Sequence, residues 1–190
     1  MNAKAIAKIL IVMMILTSMT ISVVCAAASK DEQRQHIRDI TQVTMNKLYG
    51  LHPEVKQEVE KAAGYAAFGS WGAKLGIFGS AQGKGMAVNN KTKKETFMNM
   101  REAAVGLGIG ATTYNTVFIF ATEEALNDFT ENGWQFGGEV NATATDSVNG
   151  DSFQGAAIVA PGIWMYTMTD KGLAAEITAK GTKYFKNDLN

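Results

Sequence analysis

From Ser29 onward the apolar residues recur first at three- and four-residue intervals and later at every second position. In the first stretch Ile37, Ile40, Thr44 and Leu48 fall on one side, with Val43 and Met45 close by, and Arg34, Arg38, Asp39 and Gln42 on the other. That period predicts an amphipathic helix over Ser29–Tyr49, with Gly50 as the residue that ends it. Leu51-His52-Pro53-Glu54 then starts a second helix, His52 near its cap and Pro53 at its first position. This helix turns Val55, Val59 and Ala62 inward and ends near Gly64.

Past Gly64 the period shortens to two, the mark of a strand. Tyr65–Phe68 is short and apolar. In Trp71–Phe78 the residues Trp71, Ala73, Leu75 and Ile77 share a face, opposite Gly72, Lys74 and Gly76. Gly79–Gly85 reads as a turn into Met86–Val88, and Asn89–Lys94 as the next turn. Glu95–Ala104 is another strand.

The stretch from Ala104 to Thr145 organises the rest. Gly106, Gly108 and Gly110 leave one strand face without side chains, while Leu107, Ile109 and Ala111 make the other apolar. A bare face admits close approach by a second sheet, a helix or a ligand chain. The run Val117–Ala121 is too rich in β-branched and aromatic residues for a wet surface. Thr122 caps a short helix over Thr122–Phe129, with two acids in its first turn. Gly133–Thr145 returns as a half-buried strand. After a polar loop at Asp146–Asp151 come strands over Ala156–Ala160, Ile163–Thr169 and Leu173–Phe185, the last two joined by an Asp170-Lys171-Gly172 hairpin turn.

Many strands, short turns and few helices predict a mainly β fold: an antiparallel, glycine-rich barrel or sandwich with two N-terminal helices and one short inserted helix. A parallel α/β sheet would need a helix between most strands. A hydrophobic content of 46% supplies a core of ordinary size, and nineteen glycines against two prolines suit a sheet with close backbone contacts.

The first residues form a targeting segment. Lys4 and Lys8 precede an apolar run over Ile9–Val24, and Cys25-Ala26-Ala27-Ala28 supplies small residues for a signal peptidase. The organisation expected is a cleaved signal peptide over 1–28, a helical segment over 29–63 and a β-domain over 64–190. A retained anchor and acylation of Cys25 are the alternatives, though Ser22-Val23-Val24 makes a poor lipobox. Cleavage removes the lone cysteine, and with it thiol chemistry and cysteine-based metal sites.

The whole chain has 18 basic and 18 acidic residues; without Lys4 and Lys8 the balance is −2. Nucleic-acid binding calls for a marked basic excess, so it is not expected. Local basic clusters occur at Lys91, Lys93 and Lys94, and at Lys180, Lys183 and Lys186. They read as a solvated face or as contacts to anionic headgroups.

Familiar catalytic motifs fail on inspection. Gly79–Gly85 has three residues between its first two glycines where a phosphate loop has four, and Gly85 replaces the magnesium-binding Ser/Thr. The Gly106-x-Gly108-x-Gly110 run continues into a strand, unlike a dinucleotide fingerprint. His36 and His52 are the two histidines, both N-terminal, which leaves little for a catalytic triad or a metal centre. No catalytic residue, metal or cofactor is expected. The ordinary reading of Trp71, Trp134 and Trp164 is core or barrel-end packing.

Four ordered blocks resemble the SYLF family of lipid-binding proteins. They are Tyr65–Phe68 with the glycines through Gly85; Ala104–Gly110 with Tyr114, the apolar run and Glu124-Ala125-Leu126; Gly133–Gly137; and Tyr166–Ala175 with the closing Lys183–Asn190. Similar bacterial sequences often have Pro at Gly69 and Gly-Gly at Gly79-Ser80. The resemblance implies a non-enzymatic protein that binds membrane phospholipid. In eukaryotic relatives the lipids are phosphoinositides and some members bind actin; an exported protein of the cell envelope would meet anionic phospholipid instead. On this reading the first helix (Ile37, Ile40, Leu48) and Lys91, Lys93, Lys94, Lys180 and Lys183 engage the bilayer. Two alternatives stand beside it. One is a carrier whose pocket for an acyl chain is lined by Gly106, Gly108, Gly110 and Trp134. The other is a structural envelope protein associating through strand edges.

Overall fold

The computed structural model describes residues 28–136, 143–144, 155–169, 172–173 and 181–190. Helix α1 spans Lys30–Leu51. Its start is a capping box: the Ser29 hydroxyl accepts from the Glu32 N–H, and the Glu32 carboxylate accepts from the Ser29 N–H. Contrary to expectation the helix runs through Gly50 and stops where the His52 N–H returns to the Leu48 carbonyl at 2.8 Å. Helix α2 is Val55–Lys61, so Pro53 lies in the turn before it.

Two long strands follow, β1 over Gly64–Asn89 and β2 over Glu95–Phe120. They pair antiparallel from Val88↔Glu95 to Gly64↔Phe120. The turn expected at Gly79–Gly85 is continuous strand, and the strand expected over Glu95–Ala104 runs on to Phe120. Glycine-rich sequence resembles a turn, yet here the missing side chains serve a different need. The ribbon folds back on itself at Gly76, whose φ is +67°, and the register slips from Gly76↔Gly108 to Phe78↔Val105. The two limbs of β1 then lie against each other. A Cβ on Gly85 would overlap the Ala67 carbonyl oxygen and sit 2.6 Å from the Phe68 ring; one on Gly83 would sit 2.9 Å from the Gly69 carbonyl oxygen.

Helix α3, Glu123–Asn132, is capped by the Thr122 hydroxyl accepting from the Ala125 N–H. The remaining strands are β3 (Trp134–Phe136), β4 (Thr143–Ala144), β5 (Ala157–Ala160), β6 (Ile163–Thr169), β7 (Gly172–Leu173) and β8 (Gly181–Lys186). The other edge of β2 carries β8 along Met98–Ala103 and β6 along Tyr114–Phe120. The sheet order is β3-β8-β2-β6-β5-β4, with β1 on β2 and β7 on β6. All the described pairings are antiparallel, and the sheet curls into a half-barrel, as a mainly β reading requires.

Both faces of the central strands are covered, which explains the unbroken apolar run at Val117–Phe120. Phe118 and Phe120 face the inside of the curl with Phe68, Met98, Met100 and Tyr184, and α3 adds Leu126 and Phe129. Val117 and Ile119 face outward, where Met45 and Leu48 of α1 and Val55 and Val59 of α2 cover them together with Tyr166. A third cluster joins Ile37 to Met86, Val88, Phe97 and Leu189. Among the described residues, large exposed apolar side chains gather mainly where the longest ribbon bends.

Candidate functional site

The bend is built from Trp71–Gly79 of β1 and Ala103–Thr113 of β2. Strand alternation and the pairing Leu75↔Ile109 set Trp71, Leu75 and Ile109 on one face. Among the described residues no element covers Leu75 and Ile109, which are 77% and 86% exposed, and Trp71, Ile77 and Phe78 are exposed as well. Outside the bend, the exposed large apolar residues of the described chain are Val43 and Leu51. Within Trp71–Gly79 and Ala103–Thr113 the sequence carries one charged residue, Lys74, and no acid. The carboxylate nearest in sequence is Glu102, which lines a cleft behind the bend. Glu102 accepts from the Tyr114 hydroxyl at 2.8 Å and from the Thr182 hydroxyl at 3.2 Å. Burial, and then the Glu102 charge, push the Tyr114 phenol far above its ordinary value, so it remains the donor in that bond.

A cleft of about 350 Å³ lies behind the bend, lined by Gly72, Lys74, Gly79, Ala104, Gly110 and Thr112 among others. A larger groove of about 810 Å³ runs between α1 and the second limb of the ribbon. Ile40, Val43 and Trp71 line it on one side and Lys84, Arg101 and Asp188 on another. Its lining mixes both signs of charge, as a solvated groove does. Among the described residues no cluster of three or more His, Cys, Asp or Glu is placed to hold a metal ion.

The structure redistributes the residues assigned from sequence. Ile37 and Leu48 are fully buried, in the third and second clusters. Ile40 is half-buried and packs over Gly69, where a Cβ would come within 2.8 Å of its Cγ2. The apolar stripe of α1 therefore covers the sheet and is not free to meet a bilayer. This corrects the assignment of these three residues, because a helix amphipathic toward a sheet has the same period as one amphipathic toward a membrane. Lys91, Lys93 and Lys94 are exposed in the β1–β2 turn, a limb's length from the bend. That turn lies close to α3 carboxylates: Asn89 donates to Glu123 at 2.7 Å, and Lys94 acts electrostatically on Glu131. Lys186 is ion-paired with Glu131, and this hydrogen bond is the first cause holding the Glu131 carboxyl below its usual range. Lys183 is exposed on β8 beside Arg101. Lys180 lies outside the described residues.

The pocket assignment also changes. Trp134 packs edge-on against Phe118 and Phe129, with ring centroids 5.7 and 6.1 Å away, in the inner core near α3. Gly110 lies at the bend with open space where its Cβ would be, and Gly108 pairs with Gly76 there. Gly106 falls within the register slip, and its surroundings lie outside the described residues. Among the described residues, the cleft that Gly110 lines does not include Trp134. What the sequence reading missed is the bend itself. The signal was present: Trp71, Leu75, Ile77 and Phe78 crowd one short segment, which stands exposed around the register slip.

Comparison with known proteins agrees with the resemblance seen in the sequence. Residues 101–190 match the Ysc84 family, described as "Las17-binding protein actin regulator". A relative from Aeromonas veronii, named "Beta cell expansion factor A", is 32% identical over 154 residues, which is 81% of this chain. The matched region spans 57% of that relative's length.

Proposed function

We propose, for a chain whose residues 101–190 match the Ysc84 (SYLF) family, that this protein is a non-enzymatic binder of membrane phospholipid. One observation carries the reading: five large apolar side chains stand exposed at a single end of the molecule, with one lysine and no carboxylate among them. Contiguous apolar surface of this kind marks an interaction site. The leader at residues 1–28 directs the protein out of the cytoplasm, where its partner is envelope phospholipid. An exported domain meets no actin, so the actin-regulating description of the family does not carry over. Flotation of the purified protein with phospholipid vesicles tests this. Protein recovered in the lipid fraction supports it; protein left at the bottom with every vesicle composition overturns it.

The cleft behind the bend favours a second reading, an acyl-chain carrier. Native mass spectrometry of gently purified protein would then show near-stoichiometric lipid, and lipid-free protein would remove this reading.

A further inference from the structure

We infer that the bend of the β1–β2 ribbon enters the acyl layer of the bilayer as a wedge, so that hydrocarbon rather than anionic headgroup is the partner that holds the protein. The inference rests on the lipid-binding reading above and specifies its mode. Trp71 and Leu75 of β1 and Ile109 of β2 share one face of the ribbon, and Ile77 and Phe78 project at the bend itself. From Trp71↔Thr113 to Gly76↔Gly108 the facing edges of the two strands satisfy each other's backbone groups, while no described strand pairs with their outer edges there, so the wedge enters only as far as those edges can still reach headgroups or water.

The charge pattern selects this occupant over a protein surface. A protein interface has a polar rim with hydrogen-bonding partners of both signs. Here the two bend segments offer Lys74 as their lone charge and Thr112 and Thr113 as their nearest polar side chains on β2. Lys74 lies half-buried beside the cleft, on the face opposite Leu75. From there its stem can lie along apolar surface while the ammonium reaches phosphate. Trp71, farthest from Phe78 along the limb, stands at the level where indoles prefer the interface. The lysine turn at Lys91–Lys94 lies at the far end of that limb, roughly a dozen residues or on the order of 40 Å of strand away. It therefore has no part in the contact.

The test combines salt, headgroup and residue. Vesicles of phosphatidylcholine alone and vesicles with added phosphatidylglycerol are floated with the protein at 0.1 M and 1 M NaCl. Wedge insertion predicts flotation with both vesicles and at both salt concentrations. Phe78→Ser and Ile109→Ser should each weaken partitioning about tenfold or more with an unchanged thermal midpoint. Lys91→Gln with Lys93→Gln should leave partitioning unchanged. Vesicles carrying brominated acyl chains should quench tryptophan emission, and Trp71→Phe should remove most of the quenchable part. Binding confined to phosphatidylglycerol, or lost in 1 M salt, or insensitive to both bend substitutions, overturns the wedge while leaving lipid binding in place. Absence of flotation with every vesicle overturns both.

Discussion

At the residue scale, glycines of similar sequence context do unlike jobs, and the difference is measurable. Gly85 sits where any Cβ would collide with the backbone and ring of the opposite limb. Gly85→Ala should cost about 3 kcal/mol and lower the thermal midpoint by on the order of 10 °C. At Gly110 a Cβ meets open space, so Gly110→Ala should leave stability unchanged or raise it by up to about 1 kcal/mol through the unfolded chain. Urea titration of the two variants checks the contrast. The spacing of Gly106, Gly108 and Gly110 promised the close approach that Gly83 and Gly85 actually provide. Sequence spacing shows that a face is bare, whereas what approaches it depends on how the ribbon bends. Buried phenols give a second residue-scale prediction. Burial pushes Tyr49 up to about 12, and raises Tyr65, Tyr114, Tyr166 and Tyr184 above the ordinary value as well. In the unfolded chain each loses its proton near pH 10. The native state holds those protons longer, so stability is fully present below about pH 10 and falls as pH rises toward the native values. The urea midpoint should be level from pH 7 to 9 and decline from pH 10 to 12, less steeply in Tyr49→Phe.

At the scale of elements, α1 is held by the sheet beneath it and by the end of the chain. The Asn190 side chain brackets Phe97, accepting from its N–H and donating to its carbonyl, each at 2.8 Å. Arg34 donates to the Leu189 carbonyl at 2.8 Å and Lys30 to that of Asp188 at 2.9 Å, while the Leu189 side chain packs into the cluster of Ile37 and Phe97. Leu189→Ala should cost about 2–4 kcal/mol. Asn190→Ala, removing three hydrogen bonds, two of them part-buried, should cost about 1–2 kcal/mol. Thermal midpoints, with α-helical circular dichroism as the probe, test both. The helix was legible in the sequence because Ile37, Thr44 and Leu48 keep its period, while the capping box of Ser29 and Glu32 is a finding of the structure. Its partner was not legible. The same stripe suits a membrane, and only the long-range placement of Met86, Phe97 and Leu189 shows that it is already occupied. Ile37→Asp should therefore unfold the protein, with a cost of about 4 kcal/mol or more, instead of producing a folded protein that no longer binds membrane. Strand length failed for a related reason. Gly79-Ser80 and Gly83-Lys84-Gly85 have the composition of a turn, and only their pairing with Met98–Ala104 of β2 makes them strand.

For the whole molecule, the three clusters are not separate cores, because β1 and β2 supply residues to each of them: Phe68 and Phe118, Ala67 and Val117, Met86 and Phe97. No cluster survives loss of the ribbon, so helices and sheet should melt together, with circular dichroism and tryptophan emission giving coincident transitions. The same ribbon exposes its bend to water, and a cooperative fold does nothing to hide it. Exposed apolar surface that a bilayer would cover is, without lipid, surface that a second copy can cover. At rising concentration in lipid-free buffer the protein should therefore self-associate, and Phe78→Ser with Ile109→Ser should shift the onset to higher concentration without moving the melting transition. Sedimentation velocity with and without phosphatidylcholine vesicles separates the two coverings. Vesicles should draw the wild type out of its oligomers, because hydrocarbon and the second copy compete for the same five side chains. Oligomers that persist unchanged beside lipid, or that form equally in the double variant, would place the self-association elsewhere, on the strand edges of the half-barrel.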